Sequence, residues 1–175
     1  MSTRSVIAIQ RGEDEYEAIY CHSDGYLTYN GAMLLDHYSD RDKVERLLKL
    51  GDLSCLERKI DPEPNLPHTY DYNNRQDDVC VAYGRDRGDT NVESRTMNLE
   101  KLLKWAWIEY FYIFDQNGDW KYYKYSDVDI RDVKEDLEKE YKALGIKRPK
   151  NFYGFWTDTA LKEEKKRQQN QDTEM

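Results

Sequence analysis

The chain has 175 residues, 35% of them charged, with a formal net charge of −8 and 15 tyrosines. That length fits a single domain, and the negative charge disfavours non-specific binding to nucleic acid or anionic lipid, because both depend on basic side chains. The apolar runs are far shorter than the roughly 20 residues that cross a bilayer, and the N-terminus does not resemble a secretion signal, so we expect a cytoplasmic protein.

The first part of the chain predicts a β-hairpin followed by two helices. Residues 5–11 and 16–22 are β-branched or alternating runs on either side of a polar turn, as in a hairpin. A short helical segment follows at 32–38. Ser39 is a suitable N-cap for a second helix, and Gly51 stands where a left-handed residue commonly ends one.

The middle of the chain alternates between loops and short regular segments. Residues 61–67 hold three of the four prolines and predict a loop. The apolar run at 78–84 predicts a strand, and the polar residues 85–93 predict another connection. From Asn98 the run LEKLLKWAW has the apolar spacing of a helix.

The last third predicts a second hairpin and a long helix. Aromatic runs at 108–114 and 120–125 flank the Asn-Gly pair at 117–118, which is the strongest short signal for a hairpin. Apolar residues between 133 and 144 fall on one face of a helix.

These elements indicate an α+β fold. Two hairpins and one further strand, without regular β-α-β alternation, predict a mostly antiparallel sheet of about five strands covered by three to four helices. We expect one domain over residues 1–160. Residues 161–175 are charged and have little to bury, which predicts a frayed helix or a disordered tail.

Several segments occur together in one order. They are the opening MSTRS, YCHSDGY at 20–26, HYSDRDKVERLLKLGDLSCL at 37–56, AYGRDRGD at 82–89 and the hairpin IFDQNGDWKYY. In these segments the chain resembles a family of small, largely uncharacterised bacteriophage and prophage proteins. The resemblance implies a phage accessory protein made in the cytoplasm of a bacterial host, and it supplies no catalytic residue or ligand.

Two segments offer side chains for an anionic ligand. Arg85 and Arg87 follow a predicted strand, where two guanidinium groups could hold a phosphate or carboxylate, or could form an exposed turn with local ion pairs. His22 and Asp24, close to Tyr26, could orient a base or bind a metal, or could simply form a turn. The few, irregularly spaced histidines argue against a histidine-rich metal site, so we predict no metal and no cofactor.

Four carboxylates near the C-terminus follow the spacing of one helix face. They are Asp129, Asp132, Asp136 and Glu140. Such a row could imitate a phosphate backbone and occupy a basic nucleic-acid channel of a partner. The alternative is an ordinary solvated face, because arginine and lysine side chains lie nearby.

The second hairpin carries a further set of candidates. Its aromatic residues are Trp120, Tyr122, Tyr123 and Tyr125. Tyrosine and tryptophan are favoured at protein interfaces, but they also form the core of a covered sheet.

The sequence contains no recognisable catalytic signature and favours a binding function. The leading hypothesis is a phage protein that inhibits a basic host protein, such as a defence nuclease of the CRISPR or restriction type, through its acidic surface. The alternative is a protein that captures or processes a nucleotide-like anion through the arginine and histidine segments above. A third hypothesis is a structural or regulatory contact within the phage. Direct binding to nucleic acid and to membranes is not expected.

Overall fold

The structure is a computed structural model that describes residues 2–149, 153 and 157–173. These residues form an α+β fold with one mixed sheet, which confirms the predicted class. The strands are β1 (Ser5–Gly12), β2 (Glu15–Cys21), β3 (Leu53–Cys55), β4 (Val81–Ala82), β5 (Arg95–Met97), β6 (Tyr110–Phe114), β7 (Trp120–Lys124) and β8 (Arg131–Asp132). The α-helices are α1 (Ala32–His37), α2 (Arg41–Lys49), α3 (Tyr83–Arg87), α4 (Leu99–Leu103), α5 (Val133–Leu144) and α6 (Asp158–Thr173).

The strand order in the sheet is β4-β3-β2-β1-β6-β7-β8, and β5 pairs with β2 beside that path. The pairs β1-β6 and β2-β3 are parallel, and the other pairs are antiparallel. The sheet is therefore mostly antiparallel, as predicted, but within the described ranges it has eight strands instead of five. Four of them have only two or three residues, which is too short for the alternation that identifies a strand in a sequence.

The two faces of the sheet carry separate hydrophobic cores. Side chains alternate along β1, so that Ile7 and Ile9 lie on one face and Val6 and Ala8 on the other, all of them buried. Helices α1, α2 and α5 cover the first face, while α4 covers the second through Leu102. The central strand is thus shielded on both faces.

The start of α2 differs from the prediction by one residue. Asp40, not Ser39, is the N-cap, because its backbone is extended and its carboxylate accepts a hydrogen bond from the Asp42 amide at 3.1 Å. The predicted end is confirmed, since Gly51 has a left-handed φ of 75°.

The predicted strand at 78–84 is confirmed only in part. It forms β4 and, at Val79, an isolated parallel bridge with Lys59, and the chain then turns into the short helix α3. The Asp86 carboxylate accepts a hydrogen bond from the Ala82 amide at 2.8 Å, which folds the chain back at the point where the strand would have continued. The predicted helix through residues 99–107 also stops early, at Leu103.

The second hairpin and the following helix are confirmed. In the hairpin loop, Asp115 Oδ1 accepts hydrogen bonds from the amides of Asn117 and Asp119 at 3.0 and 2.9 Å, which closes the loop of five residues between the two predicted runs. Gly145 has a φ of 78° and ends α5. Trp120, Tyr122 and Tyr123 are buried in the core, whereas Tyr125 is 72% exposed.

Helix α6 covers most of the segment for which the sequence predicted a frayed helix or disorder. Gln168 joins it to the chain after α5, because its side chain accepts from the Lys147 amide at 2.9 Å and donates to the Lys147 carbonyl at 2.8 Å. In the described ranges, none of the helices has both the length and the apolar character needed to span a membrane.

Candidate ligand-binding groove

Four strand ends meet at one end of the sheet. Strands β1 and β6 are parallel to each other, and β2 and β7 are antiparallel to them. The first residues of β1 and β6 therefore lie beside the last residues of β2 and β7. The segments just beyond these ends therefore come together although they are far apart in sequence. They are Arg4, His22, residues 105–109 and Tyr125.

Two cavities open at this end of the sheet. The first has a volume of about 630 Å³ and is lined by Arg4, Tyr20, Asp52, Arg95, Trp105, Ala106 and Trp107. The second has a volume of about 810 Å³ and is lined by Ser2, Arg4, Leu103, Lys104, Trp105, Ala106, Trp107, Ile108, Glu109 and Tyr125. We call the two cavities together the Arg–Trp groove. Each has the size of a typical small-molecule site.

Trp107 has an unusual backbone conformation in the wall shared by both cavities. Its φ is 70°, a left-handed value that is rare for a large side chain and costs about 1–2 kcal/mol. Its side chain is also 81% exposed, so burial does not compensate for this cost. Strained residues of this kind concentrate at ligand-binding sites.

Arg95 is held in place by a nearly buried carboxylate. Asp52, whose side chain is 9% exposed, receives two hydrogen bonds from Arg95 at 2.9 and 2.8 Å and one from the Tyr20 amide at 2.9 Å. The Arg95 guanidinium lies over the Trp105 ring, 4.9 Å from its centre. The orientation of this cation in the first cavity is therefore fixed before any ligand binds.

The first cavity is locally cationic within an acidic chain. Arg4 and Arg95 line it against one carboxylate, Asp52, whereas in the second cavity Lys104 pairs with Glu100 at 2.9 Å and Glu109 adds a further carboxylate. Indole rings beside guanidinium groups can bind a flat aromatic ring and an attached anion together.

His22 lies beside this groove through its contact with a lining residue. Its Nδ1 is 2.7 Å from the hydroxyl of Tyr20. Burial, together with the positive charge of Arg4, lowers the pKa of His22, so the imidazole is neutral near pH 7. Burial raises the pKa of Tyr20, which keeps the phenol protonated.

Asp24 and Tyr26, the other predicted members of the His22 segment, have different neighbours. Asp24 has a φ of 57°, and burial raises the pKa of its carboxyl. Burial also raises the pKa of Tyr26 to about 12, and its ring packs against that of Tyr29 at 6.1 Å. Neither residue lines the Arg–Trp groove.

Arg85 binds the chain itself. Its guanidinium donates to the carbonyls of Ile60 and Cys80 at 2.6 and 2.8 Å. Its Nε donates to Asp86 Oδ1 at 2.9 Å. These contacts attach the long loop before β4 to helix α3.

Arg87 is also engaged within the chain. It forms two hydrogen bonds with Asp89 at 2.8 and 2.7 Å. The rings of Tyr70 and Tyr83 lie 4.5 and 4.6 Å from its guanidinium carbon. The two predicted arginines thus hold loops and do not line the groove, whereas Arg4 and Arg95 line its first cavity, Arg95 while paired with Asp52.

The predicted acidic row is divided between inward and outward carboxylates. Asp132 caps α5 by accepting from the Glu135 amide, and it pairs with Lys121 at 2.7 Å, which contributes to the lowered pKa of its carboxyl. Asp136 accepts a hydrogen bond from the Tyr122 hydroxyl at 2.7 Å. Asp129 and Glu140 are exposed.

The groove residues were missed by sequence reasoning because they carry no local signal. Trp105 and Trp107 continue the apolar spacing of the predicted helix. They line the groove only because α4 ends at Leu103. Arg4, Asp52 and Arg95 stand about 45 positions apart, and only the sheet pairing joins them. A tryptophan pair beside a helix end was the one available hint.

Neither a metal cluster among the described residues nor a known relative assigns the chemistry of the groove. Among the residues that the structure describes, His, Cys, Asp and Glu side chains do not form a group of three or more that could hold a metal ion. The relation to phage proteins stays a prediction. No protein-family model, curated protein or solved structure matches this chain.

Proposed function

We propose that this chain is a binding protein for a nucleotide-like anion, held in the Arg–Trp groove. The observation that carries the proposal is the shared lining of one cavity by Arg4, Arg95, Trp105 and Trp107. Guanidinium groups bind phosphate through directed hydrogen bonds, and aromatic side chains stack on bases. A protein of this kind sequesters its ligand without chemical conversion.

Nucleotides are expected to raise the melting temperature of the full chain. A ligand present at 100 times its dissociation constant stabilises the native state by about 2.7 kcal/mol. The measurement is differential scanning fluorimetry with each of the four ribonucleoside 5′-monophosphates. We expect Arg4→Gln and Trp107→Gly to lose the shift, because the first removes a cation and the second a stacking surface.

The variants are chosen so that loss of binding is not confused with loss of folding. Glycine suits the left-handed backbone at Trp107, and the side chain removed there is exposed, so Trp107→Gly should fold normally. The control is Arg131→Gln, which removes an exposed arginine bonded to Asp127. A melting temperature that no nucleotide changes, or an equal shift in Trp107→Gly, would refute the proposal.

As a second candidate we propose inhibition of a basic host protein by a phage accessory protein. The specific observation is the set of outward carboxylates on and before α5, in a chain of net charge −8. They are Asp129, Glu135, Glu138 and Glu140. A defence nuclease with a basic nucleic-acid channel is the expected partner.

Charge reversal of the outward residues tests this second function. We expect the triple variant Asp129→Lys, Glu138→Lys, Glu140→Lys to lose protection of a phage against host defence, while the capping Asp132 stays in place. The control reverses three exposed carboxylates elsewhere, at Glu13, Glu63 and Asp77. Equal protection by both triple variants, or no protection by the unmodified chain, would exclude this function.

A further inference from the structure

The two cavities of the Arg–Trp groove lie side by side and share part of their lining. Both are lined by Arg4 and by residues 105–107, and each has the volume of a separate small-molecule site. A ligand with one base and one phosphate would fill only one of them. The size of the groove therefore fits a ligand with two ring systems.

The second cavity has its own aromatic surface. Tyr125 is 72% exposed and lines this cavity together with Trp107. The Tyr125 amide donates to the carbonyl of Glu109 at 2.8 Å, and the next residue, Ser126, has a left-handed φ of 69°. Its backbone is thus fixed at the wall, and the exposed phenol ring is available for stacking.

The charges differ between the two cavities. Both cavities contain Arg4, and the first also contains Arg95, whereas in the second Lys104 pairs with Glu100 at 2.9 Å and Glu109 is a further carboxylate. An uncharged base suits the second cavity better than a further phosphate does. Arg4 lines both cavities, so it is the cation available to a phosphate that links a base in one cavity to a base in the other.

The net charge of the chain favours a short ligand. A nucleic-acid strand carries a phosphate at every nucleotide, and a chain of net charge −8 repels such a polyanion outside the local cationic patch. A ligand that ends within the groove avoids that repulsion.

We propose, on the basis of the proposed nucleotide-binding function, that the ligand class is a dinucleotide. One base stacks in the first cavity on the exposed Trp107 ring, the linking phosphate pairs with Arg4, and the second base stacks against Tyr125. The second base adds a stacking contact that a mononucleotide lacks.

Calorimetric titration of the full chain tests this inference with adenosine 5′-monophosphate and the 5′-phosphorylated dinucleotide pApA. We expect pApA to bind about tenfold or more tightly, from the added stacking contact. In Tyr125→Ala this affinity ratio should fall toward one. The control is Tyr72→Ala, which removes another exposed tyrosine that does not line the groove and should keep the ratio.

The outcomes separate the two proposals. If the mononucleotide binds and pApA binds no more tightly, the dinucleotide inference fails while nucleotide binding stands. If neither compound binds, the proposed function itself fails. A single strand of twenty adenylates that binds far more tightly than pApA would also overturn the inference, because the ligand would then be an extended nucleic acid.

Discussion

Substitution of Gly51 by alanine is expected to destabilise the protein by about 3 kcal/mol, from left-handed strain and steric overlap together. Gly51 has a φ of 75°, and a Cβ at this position would overlap the carbonyl oxygen of Val92. That carbonyl also accepts a hydrogen bond from the Asp52 amide at 2.8 Å, so it cannot move away without loss. Urea denaturation at pH 7 measures the change in the free energy of unfolding.

Gly88 provides the matched control for this substitution. Its φ is 85°, but a Cβ there would meet nothing within 4 Å. Gly88→Ala should therefore cost only the strain of a left-handed alanine, about 1 kcal/mol. If the free energy of unfolding falls by a similar amount in the two variants, the contact with Val92 contributes nothing. The loop before β5 would then move to make room for the added Cβ at no cost.

Removal of the nearly buried Asp52 carboxylate is expected to cost about 2 kcal/mol, because it leaves the partly buried Tyr20 amide without an acceptor and breaks the pair with Arg95. The Asp52 side chain binds both the Arg95 guanidinium and the Tyr20 amide. In Asp52→Ala the Tyr20 amide loses its partner, and Arg95 is no longer fixed over Trp105. The loss is measured by urea denaturation, as for Gly51.

A second bidentate pair in the same chain serves as the comparison. Arg87 and Asp89 make two hydrogen bonds with similar lengths, but both side chains are much more exposed than that of Asp52. Exposed pairs contribute little because water replaces them readily, so Asp89→Ala should be far less destabilising than Asp52→Ala. If the two variants lose equal stability, burial is not the reason why the Asp52 pair stabilises the protein.

These two sites connect stability to the candidate function. Gly51 and Asp52 join the end of α2 to the loop before β5, and that loop leads to Arg95. The cation of the first cavity is therefore held by contacts that also stabilise the fold. The stacking residues Trp107 and Tyr125 are exposed and stand apart from this network.

Neighbouring residues by themselves determined several elements. The alternating run at 5–11, the Asn-Gly pair at 117–118 and the apolar face of α5 were sufficient to predict two hairpins and a helix. Each of these patterns acts over a few positions, so the sequence contains the whole signal. The α+β class follows from the order of such elements.

The short strands and the end of α4 depended on tertiary contacts. Strand β5 has three residues and exists because β2 offers an edge for pairing. Helix α4 stops at Leu103 although the apolar spacing continues to Trp107. In segments of this length, tertiary packing has more effect on whether a helix or strand forms than the local propensity of the residues does.

The candidate site was decided almost entirely by the tertiary structure. Composition and charge predicted an acidic binding protein, and they identified arginine as the residue for an anionic ligand. They selected Arg85 and Arg87, which lie outside the groove and bind the chain itself, because a local pattern does not show which guanidinium groups the fold brings to a cavity. Only the parallel pairing of β1 with β6 brings Arg4 to the tryptophan pair across about 100 positions of sequence.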